Sequence, residues 1–183
     1  MEKWEESLQA LRTVVFRVNH LPLTRLNNIV LDDARFHIAP GGVTKHHNYP
    51  HGLVIHVNEV MQNVLSMTGD NPSEELITAV IWHDAMKVKD YDWDPVNEKV
   101  IKLPHRSLIG HLAGSAMEFH SEAVYVLDDV TLEHIEHLLL SNHGRKEWGS
   151  PVVPQTSEAF ILHAADMMSA TGANLKDEKG KGE

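Results

Sequence analysis

Apolar residues recur at helical spacing along most of this chain, and this periodicity restricts the fold more than any other feature of the sequence. The face within residues 52–67 is the clearest, and it ends at the helix-stopping run Gly69-Asp70-Asn71-Pro72. The predicted helices cover residues 5–19, 52–67, 107–126 and 127–141, together with one that opens after the N-cap Ser73 and one capped by Thr156-Ser157-Glu158.

Two segments depart from this pattern. Residues 20–42 mix turn residues with short apolar runs, which predicts an irregular connection. Residues 88–104 predict a loop or a short hairpin, with an edge strand near residues 100–103, placed like a lid beside the His83-Asp84 pair. We therefore predict an all-α fold, a compact and mostly antiparallel helical bundle with a small hairpin or irregular lid. A single domain should span residues 1–175, followed by a flexible charged tail at 176–183.

The composition limits the possible chemistry. The chain has no cysteine, so any metal site must use nitrogen and oxygen ligands, and fourteen histidines are available for it. The formal net charge of −10 disfavours binding of long duplex nucleic acid. No run reaches the roughly 20 apolar residues that cross a bilayer, and the acidic start lacks the character of a signal peptide. We therefore expect a cytoplasmic protein with no membrane partner, and the sequence leaves homo-oligomerisation open.

An ionisable pair, His83-Asp84, follows the apolar run 77–82, where burial without a partner would be costly. A divalent cation would offset that cost. His56 and Asp166 are polar residues in similarly apolar helices, so they are candidates for the remaining ligands. Taken singly, each is more typical of a hydrogen-bonded core residue, a helix cap or an ion pair.

Four sequence blocks make a resemblance specific: HHNYPHGLVIHV, AVIWHDAMK, GHLAGSAM and LLLSNHGRKEWGSPVVPQTSEAFILHAADMMSA. Together they resemble the HD-domain superfamily of metal-dependent phosphohydrolases, and they look most like the catalytic domain of YhaM-type 3′-5′ exoribonucleases. The resemblance covers about residues 44–170. It implies an HD-type helical bundle with a divalent metal centre.

The resemblance also implies roles for individual residues. It implies that His56, His83, Asp84 and Asp166 bind one metal ion and that His111 and His143 bind a second, with Asp84 as a bridge. Lys87 could neutralise a phosphate oxygen or orient the metal-bound water, or it could be an exposed cation at a helix end. Related sequences commonly have two histidines where this chain has Asn142-His143, so one or two ions remain open. Manganese is the first choice, with iron, cobalt, nickel or magnesium as alternatives.

Substrate-binding candidates lie near the proposed ligands in the sequence. His46 and His47 could contact a phosphate, or they could belong to a solvated loop. Arg106 and Arg145 offer planar guanidinium donors, although surface ion pairs are the more frequent use of arginine. Trp148 could stack on a base or pack against the edge of the core.

Three functions agree with these features. The first is a 3′-5′ exonuclease that cleaves single-stranded RNA or DNA with metal-activated water, and the chain has no GxSxG motif or P-loop to suggest other hydrolytic chemistry. The second is a nucleotide or deoxynucleoside triphosphate phosphohydrolase. The acidic charge favours it, as does the short stretch before residue 44, in which we expect no accompanying nucleic-acid-binding module. The third is a di-iron HD-type oxygenase or a non-catalytic binding module.

Overall fold

The computed structural model describes the backbone of residues 1–43 and 46–179 and the side chains as far as residue 172. It confirms the all-α prediction. The helices are α1 (Lys3–Val15), α2 (Leu21–Leu31), α3 (Ala34–Ile38), α4 (Gly52–Thr68), α5 (Glu74–Trp82), α6 (Lys87–Asp90), α7 (His105–Leu108), α8 (His111–Ala123), α9 (Asp129–Ser141) and α10 (Ser157–Lys179). A hairpin of β1 (Tyr91–Asp94) and β2 (Lys99–Lys102) lies between α6 and α7.

Helix α5 lies at the centre of the bundle, where α2, α4, α8, α9 and α10 pack around it. Every residue from Leu76 to Trp82 is buried, which fits its continuous apolar sequence. Ser73 caps the helix by accepting a hydrogen bond from the backbone N–H of Leu76 at 3.0 Å. Because the helix ends inside the core, the next two residues, His83 and Asp84, are buried as well.

The irregular connection predicted for residues 20–42 is wrong, because α2 and α3 occupy much of it. Pro22 lies in the first turn of α2, where a missing N–H and a fixed φ are compatible with a helix. Asn27 is buried and donates to Thr78 Oγ1 on α5 at 3.1 Å. The polar residues that suggested a loop therefore include one that joins two packed helices.

The single helix predicted for residues 107–126 is divided into α7 and α8. The break lies at Gly110, whose φ of +77° favours glycine. Asp90 stabilises the start of α8 because its Oδ2 accepts from the backbone N–H of His111 at 2.9 Å. The following helix begins later than residue 127, since Asp128 is its N-cap and accepts from the backbone of Val130 and Thr131.

The hairpin predicted within residues 88–104 is confirmed. Its antiparallel register pairs Tyr91 with Lys102 and Asp94 with Lys99. Asp94 holds the turn by accepting from the backbone N–H groups of Val96 and Asn97. A lid function for this hairpin stays a prediction.

The predicted tail at 176–183 overlaps the end of α10, whose backbone is described to Lys179, and residues 180–183 lie outside the described part of the chain. Among the described residues, no helix has both the length and the apolar character needed to cross a bilayer.

Candidate metal centre

Four predicted ligands from separate parts of the chain meet in the interior. His56 comes from α4, His83 and Asp84 follow α5, and Asp166 lies on α10. His56 Nε2 lies 3.1 Å from Asp84 Oδ2 and 3.2 Å from Asp166 Oδ1. One ligand atom from each of His56, His83 and Asp84 lies within 4.8 Å of the others. This is the spacing at which side chains can share one ion.

The hydrogen bonds of the two histidines direct their Nε2 atoms toward this point. His83 Nδ1 donates to the carbonyl oxygen of Val80 at 2.8 Å. His56 Nδ1 donates to Ser169 Oγ at 3.0 Å, because that hydroxyl itself donates to Glu59 Oε2 at 2.9 Å. With both Nδ1 atoms engaged, the two Nε2 atoms are the ring nitrogens left to bind an ion, and they face each other at 3.5 Å. Such an arrangement suits a shared cation, and fixing Nδ1 is how proteins orient histidine ligands.

A second pair of histidines lies on the other side of Asp84. His111 Nε2 is 3.6 Å from Asp84 Oδ1 and 3.4 Å from His143 Nε2. Their Nδ1 atoms are again fixed, since His111 donates to Asp90 Oδ2 and His143 donates to the carbonyl oxygen of Trp148, each at 2.9 Å. The two oxygens of Asp84 thus face different histidine pairs, as a bridging carboxylate would.

Three supporting residues were absent from the sequence prediction: Glu59, Asp90 and Ser169. Asp90 is fully buried and binds both His105 and His111. The sequence does contain a signal for them, namely their spacing. Each lies three residues, about one helical turn, after a predicted site residue: His56, Lys87 and Asp166 respectively. Without coordinates, that spacing alone could not separate them from other polar helix residues.

Asn142 stands where the resemblance led us to expect a histidine. It is buried, and its side-chain amide donates to Asp166 Oδ2 at 3.0 Å. The other oxygen of Asp166 faces His56. Asn142 therefore orients Asp166, and its hydrogen bond occupies the carboxylate oxygen that does not face His56.

The ionisable side chains of the centre shift one another's pKa values. Burial would by itself lower the pKa of His56, but the hydrogen bonds that its ring donates to Asp166 and Asp84 raise it to about 9, so a metal ion would take the place of a proton on Nε2. Burial would raise the pKa of Asp84, yet Lys87 and the neighbouring histidines hold it well below its ordinary value. The pKa of Asp166 is also lowered, because its hydrogen bond to His56 outweighs burial. The two carboxylates stay ionised, which favours a cation between them.

Lys87 is a buried cation at the edge of the centre. Its Nζ lies 2.5 Å from Asp84 Oδ2 and donates to the carbonyl oxygen of Gly41 at 2.7 Å. Burial would lower its pKa, but the charges of Asp84 and Asp166 raise it. Lys87 is therefore not the exposed helix-end cation that was one of its two predicted interpretations.

A cavity of about 340 Å³ opens onto the metal ligands. Lys87, His46 and Arg106 line it together with Asp84 and Asp166. Burial, followed by the nearby charge of Lys87, lowers the pKa of His46 to about 4, so this imidazole is neutral at neutral pH. Arg106 donates through Nε to the hydroxyl of Tyr91 at 3.2 Å.

The structure places the two other predicted substrate-binding residues elsewhere. Of the described residues, His46 lines this cavity but His47 does not: His47 is 3% exposed, and its Nε2 lies 3.2 Å from Glu59 Oε2. Arg145 lies with its guanidinium 4.9 Å from the centre of the Trp148 ring. Neither side chain joins Lys87 and Arg106 at the ligands, because one is enclosed by the core and the other lies on the surface.

The donor set fits a divalent metal ion. It consists of imidazole nitrogens and carboxylate oxygens, which accept divalent ions such as manganese, iron, cobalt, nickel or magnesium in preference to soft ions. The ionised carboxylates of Asp84 and Asp166, with His56 and His83 beside them, favour a positive charge at the same point. We conclude that this is a candidate metal centre with the composition of a hydrolytic site.

Comparison with known proteins identifies the class. Residues 53–171 match the family described as HD domain, which is well over half of the chain, and the chain therefore belongs to the HD-domain family. The 3′-5′ exoribonuclease YhaM of Listeria welshimeri is 31% identical over 182 residues, covering 95% of this chain and 56% of that protein. The YhaM protein of Bacillus subtilis is 28% identical over 171 residues, covering 90% and 54% respectively.

The chain thus spans little more than half the length of these relatives. Comparison with solved structures gave no significant match. The family and its relatives confirm the predicted superfamily and agree with the predicted enzyme class, a metal-dependent hydrolase. The substrate, the identity of the ion and the roles of individual residues stay predictions.

Proposed function

We propose that this chain is a 3′-5′ exonuclease that hydrolyses phosphodiester bonds of single-stranded RNA. The observation that carries the proposal is the meeting of His56, His83, Asp84 and Asp166 beside a cavity that also contains a buried ammonium group. The name of the relatives supports the choice of substrate, since those proteins are 3′-5′ exoribonucleases.

In this proposal His56, His83, Asp84 and Asp166 hold one divalent ion, with manganese as the first choice. His111 and His143 hold a second ion, with Asp84 between the two. A bound divalent ion would lower the pKa of a water molecule and so supply hydroxide as the nucleophile near neutral pH.

The remaining work belongs to side chains of the cavity. Lys87 offers a fixed positive charge that can stabilise negative charge growing on the phosphate oxygens during attack. Arg106 keeps guanidinium N–H groups available for a phosphate oxygen, since its Nε alone donates to Tyr91. His46, being neutral, can exchange hydrogen bonds with substrate but adds no charge.

A specific observation favours a second candidate, a nucleotide or deoxynucleoside triphosphate phosphohydrolase. The formal charge of −10 repels a polyanion, whereas a mononucleotide needs only a local cationic pocket such as that formed by Lys87 and Arg106. The exonuclease meets the same difficulty less severely when it engages only the end of a strand.

One experiment separates the two candidates. The wild-type protein is supplied with Mn²⁺ and given a 5′-labelled single-stranded RNA, its DNA counterpart and a panel of ribo- and deoxyribonucleoside triphosphates. Progressive shortening of the labelled RNA from its 3′ end is the expected result. Hydrolysis of triphosphates alone would favour the second candidate, and activity that persists in Asp84→Ala would contradict both, because that variant lacks the bridging carboxylate.

A further inference from the structure

A half-exposed tryptophan lines a second cavity directly beside the candidate metal centre. Trp148 is 49% exposed, and the cavity has a volume of about 250 Å³. Arg106, His111 and His143 line both this cavity and the one over the metal ligands, so the two spaces are adjacent. A group bound beside Trp148 would therefore lie next to a phosphate bound at the metal ligands.

The position of Trp148 is tied to that of a proposed ligand. Its carbonyl oxygen accepts from His143 Nδ1 at 2.9 Å, within the turn formed by the 3-10 helix Lys146–Trp148 and Gly149. Gly149 has a φ of +98°, a conformation that favours glycine and directs the chain sharply after the tryptophan. The turn thus sets the tryptophan and the ligand in a defined relation.

Two cations lie beside the ring, although the chain as a whole is acidic and Glu147 lies next to them in the same turn. The guanidinium of Arg145 lies 4.9 Å from the centre of the Trp148 ring, and Lys146 precedes it in the same turn. An exposed aromatic ring combined with nearby cations is the usual means by which proteins hold single-stranded nucleic acid, since bases stack on the ring while cations attract the backbone.

We infer that the cavity beside Trp148 is a nucleobase subsite, which binds a base flanking the scissile phosphate by stacking on the tryptophan. The inference rests on the proposed function and names a specificity determinant for it. The volume is slightly below the range of about 300–1,000 Å³ typical of whole small-molecule sites, so it suits one ring system of a larger substrate. Arg106 borders both cavities, so in this arrangement it would lie between the bound phosphate and the bound base.

The test compares substrates with and without a base. Wild-type protein, Trp148→Leu and Trp148→Phe are assayed with Mn²⁺ on single-stranded RNA, on RNA with an abasic residue on either side of the scissile phosphate, and on the base-free diester bis(p-nitrophenyl) phosphate. Trp93→Leu is the matched control, because Trp93 is also partly exposed but borders neither of the two cavities.

Because base stacking is lost, the kcat/KM of Trp148→Leu on RNA should be about 5- to 150-fold lower than that of the wild type, mainly through a higher KM. Trp148→Phe should retain more activity because it keeps an aromatic face. An abasic residue at one of the flanking positions should impair the wild type more than Trp148→Leu, since the variant has no stacking left to lose.

Two other results would overturn the inference in distinguishable ways. If the wild type degrades RNA and Trp148→Leu does so with the same kcat/KM, the nucleobase subsite is refuted and the exonuclease stands. If the wild type hydrolyses the base-free diester but no RNA, the proposed function itself fails, and the subsite fails with it. Melting temperatures of all variants check that each is folded.

Discussion

Ser169 offers the sharpest test of the candidate metal centre, because it touches a proposed ligand without being one. Its hydroxyl accepts from His56 Nδ1 at 3.0 Å and donates to Glu59 Oε2 at 2.9 Å. The substitution Ser169→Ala removes this link and leaves every proposed ligand in the chain. We predict that it weakens metal binding.

The magnitude follows from burial. Ser169 is 3% exposed and His56 is 1% exposed, so water has little access to replace the lost acceptor. A buried donor left without a partner costs about 1–3 kcal/mol. The imidazole also becomes free to move its proton to Nε2, which would block the lone pair that faces the metal. Removal of such a partner typically costs about 10–100-fold in metal affinity, and we expect a rise in the dissociation constant within that range.

The measurement is isothermal titration calorimetry of Mn²⁺ into protein that has been freed of metal with a chelator. Ser7→Ala is the control, because Ser7 is also a buried helical serine but lies on α1 and contacts Asn58 instead of a proposed ligand. Circular dichroism confirms that both variants are folded. The reasoning is refuted if Ser169→Ala binds Mn²⁺ as tightly as Ser7→Ala and the wild type, because the hydrogen bond would then have no part in orienting His56.

Three further predictions follow from the same structure. Lys87→Gln should lower kcat by about 10²–10³-fold, by analogy with the loss of one donor at a developing anion. Its Mn²⁺ affinity should stay equal or rise, because the ammonium 2.5 Å from Asp84 Oδ2 no longer competes with the metal. An unchanged kcat would exclude a role of Lys87 in catalysis. A metal ion at about 100 times its dissociation constant should stabilise the fold by about 2.7 kcal/mol. In a thermal scan, EDTA should therefore lower the melting temperature of the wild type by about 5–10 °C and leave that of His83→Ala nearly constant. Equal shifts in both proteins would place the metal elsewhere. Gly52→Ala should lower the free energy of unfolding in urea by about 1–3 kcal/mol, because the added Cβ would lie 2.1 Å from the carbonyl oxygen of His47. The control is Gly69→Ala, where the added Cβ has open space but φ is +61°. A urea midpoint of Gly52→Ala no lower than that of the control would contradict the prediction.

The apolar pattern of the sequence predicts two of the helices and the burial of the His-Asp pair well. Helix α5 is apolar from Leu76 to Trp82 except for Thr78, so the burial of this stretch and of His83 and Asp84 could be predicted from residue types alone. The same holds for α4, whose range differs from the prediction by one residue at its end. In these elements local propensity and tertiary packing favour the same conformation.

Residues 20–42 show where local information fails. Their turn residues favoured an irregular connection, but packing against α5 stabilises α2 and gives the buried Asn27 a partner in Thr78. The division between α7 and α8 is a similar case, since it depends on Asp90, which comes from a different helix. Such contacts override weak local preferences, because burial and hydrogen bonding outweigh them.

The sequence by itself determined the helical class, the buried His83-Asp84 pair and the nitrogen and oxygen donors available to a metal ion, because these depend on residue type and on local spacing. Only the tertiary structure decided which atoms meet. The link from Glu59 through Ser169 to His56 joins α4 to α10, which is distant in sequence, and the burial of His47 against Glu59 joins a loop to α4. No local pattern encodes such distances, since they arise from the packing of the whole bundle.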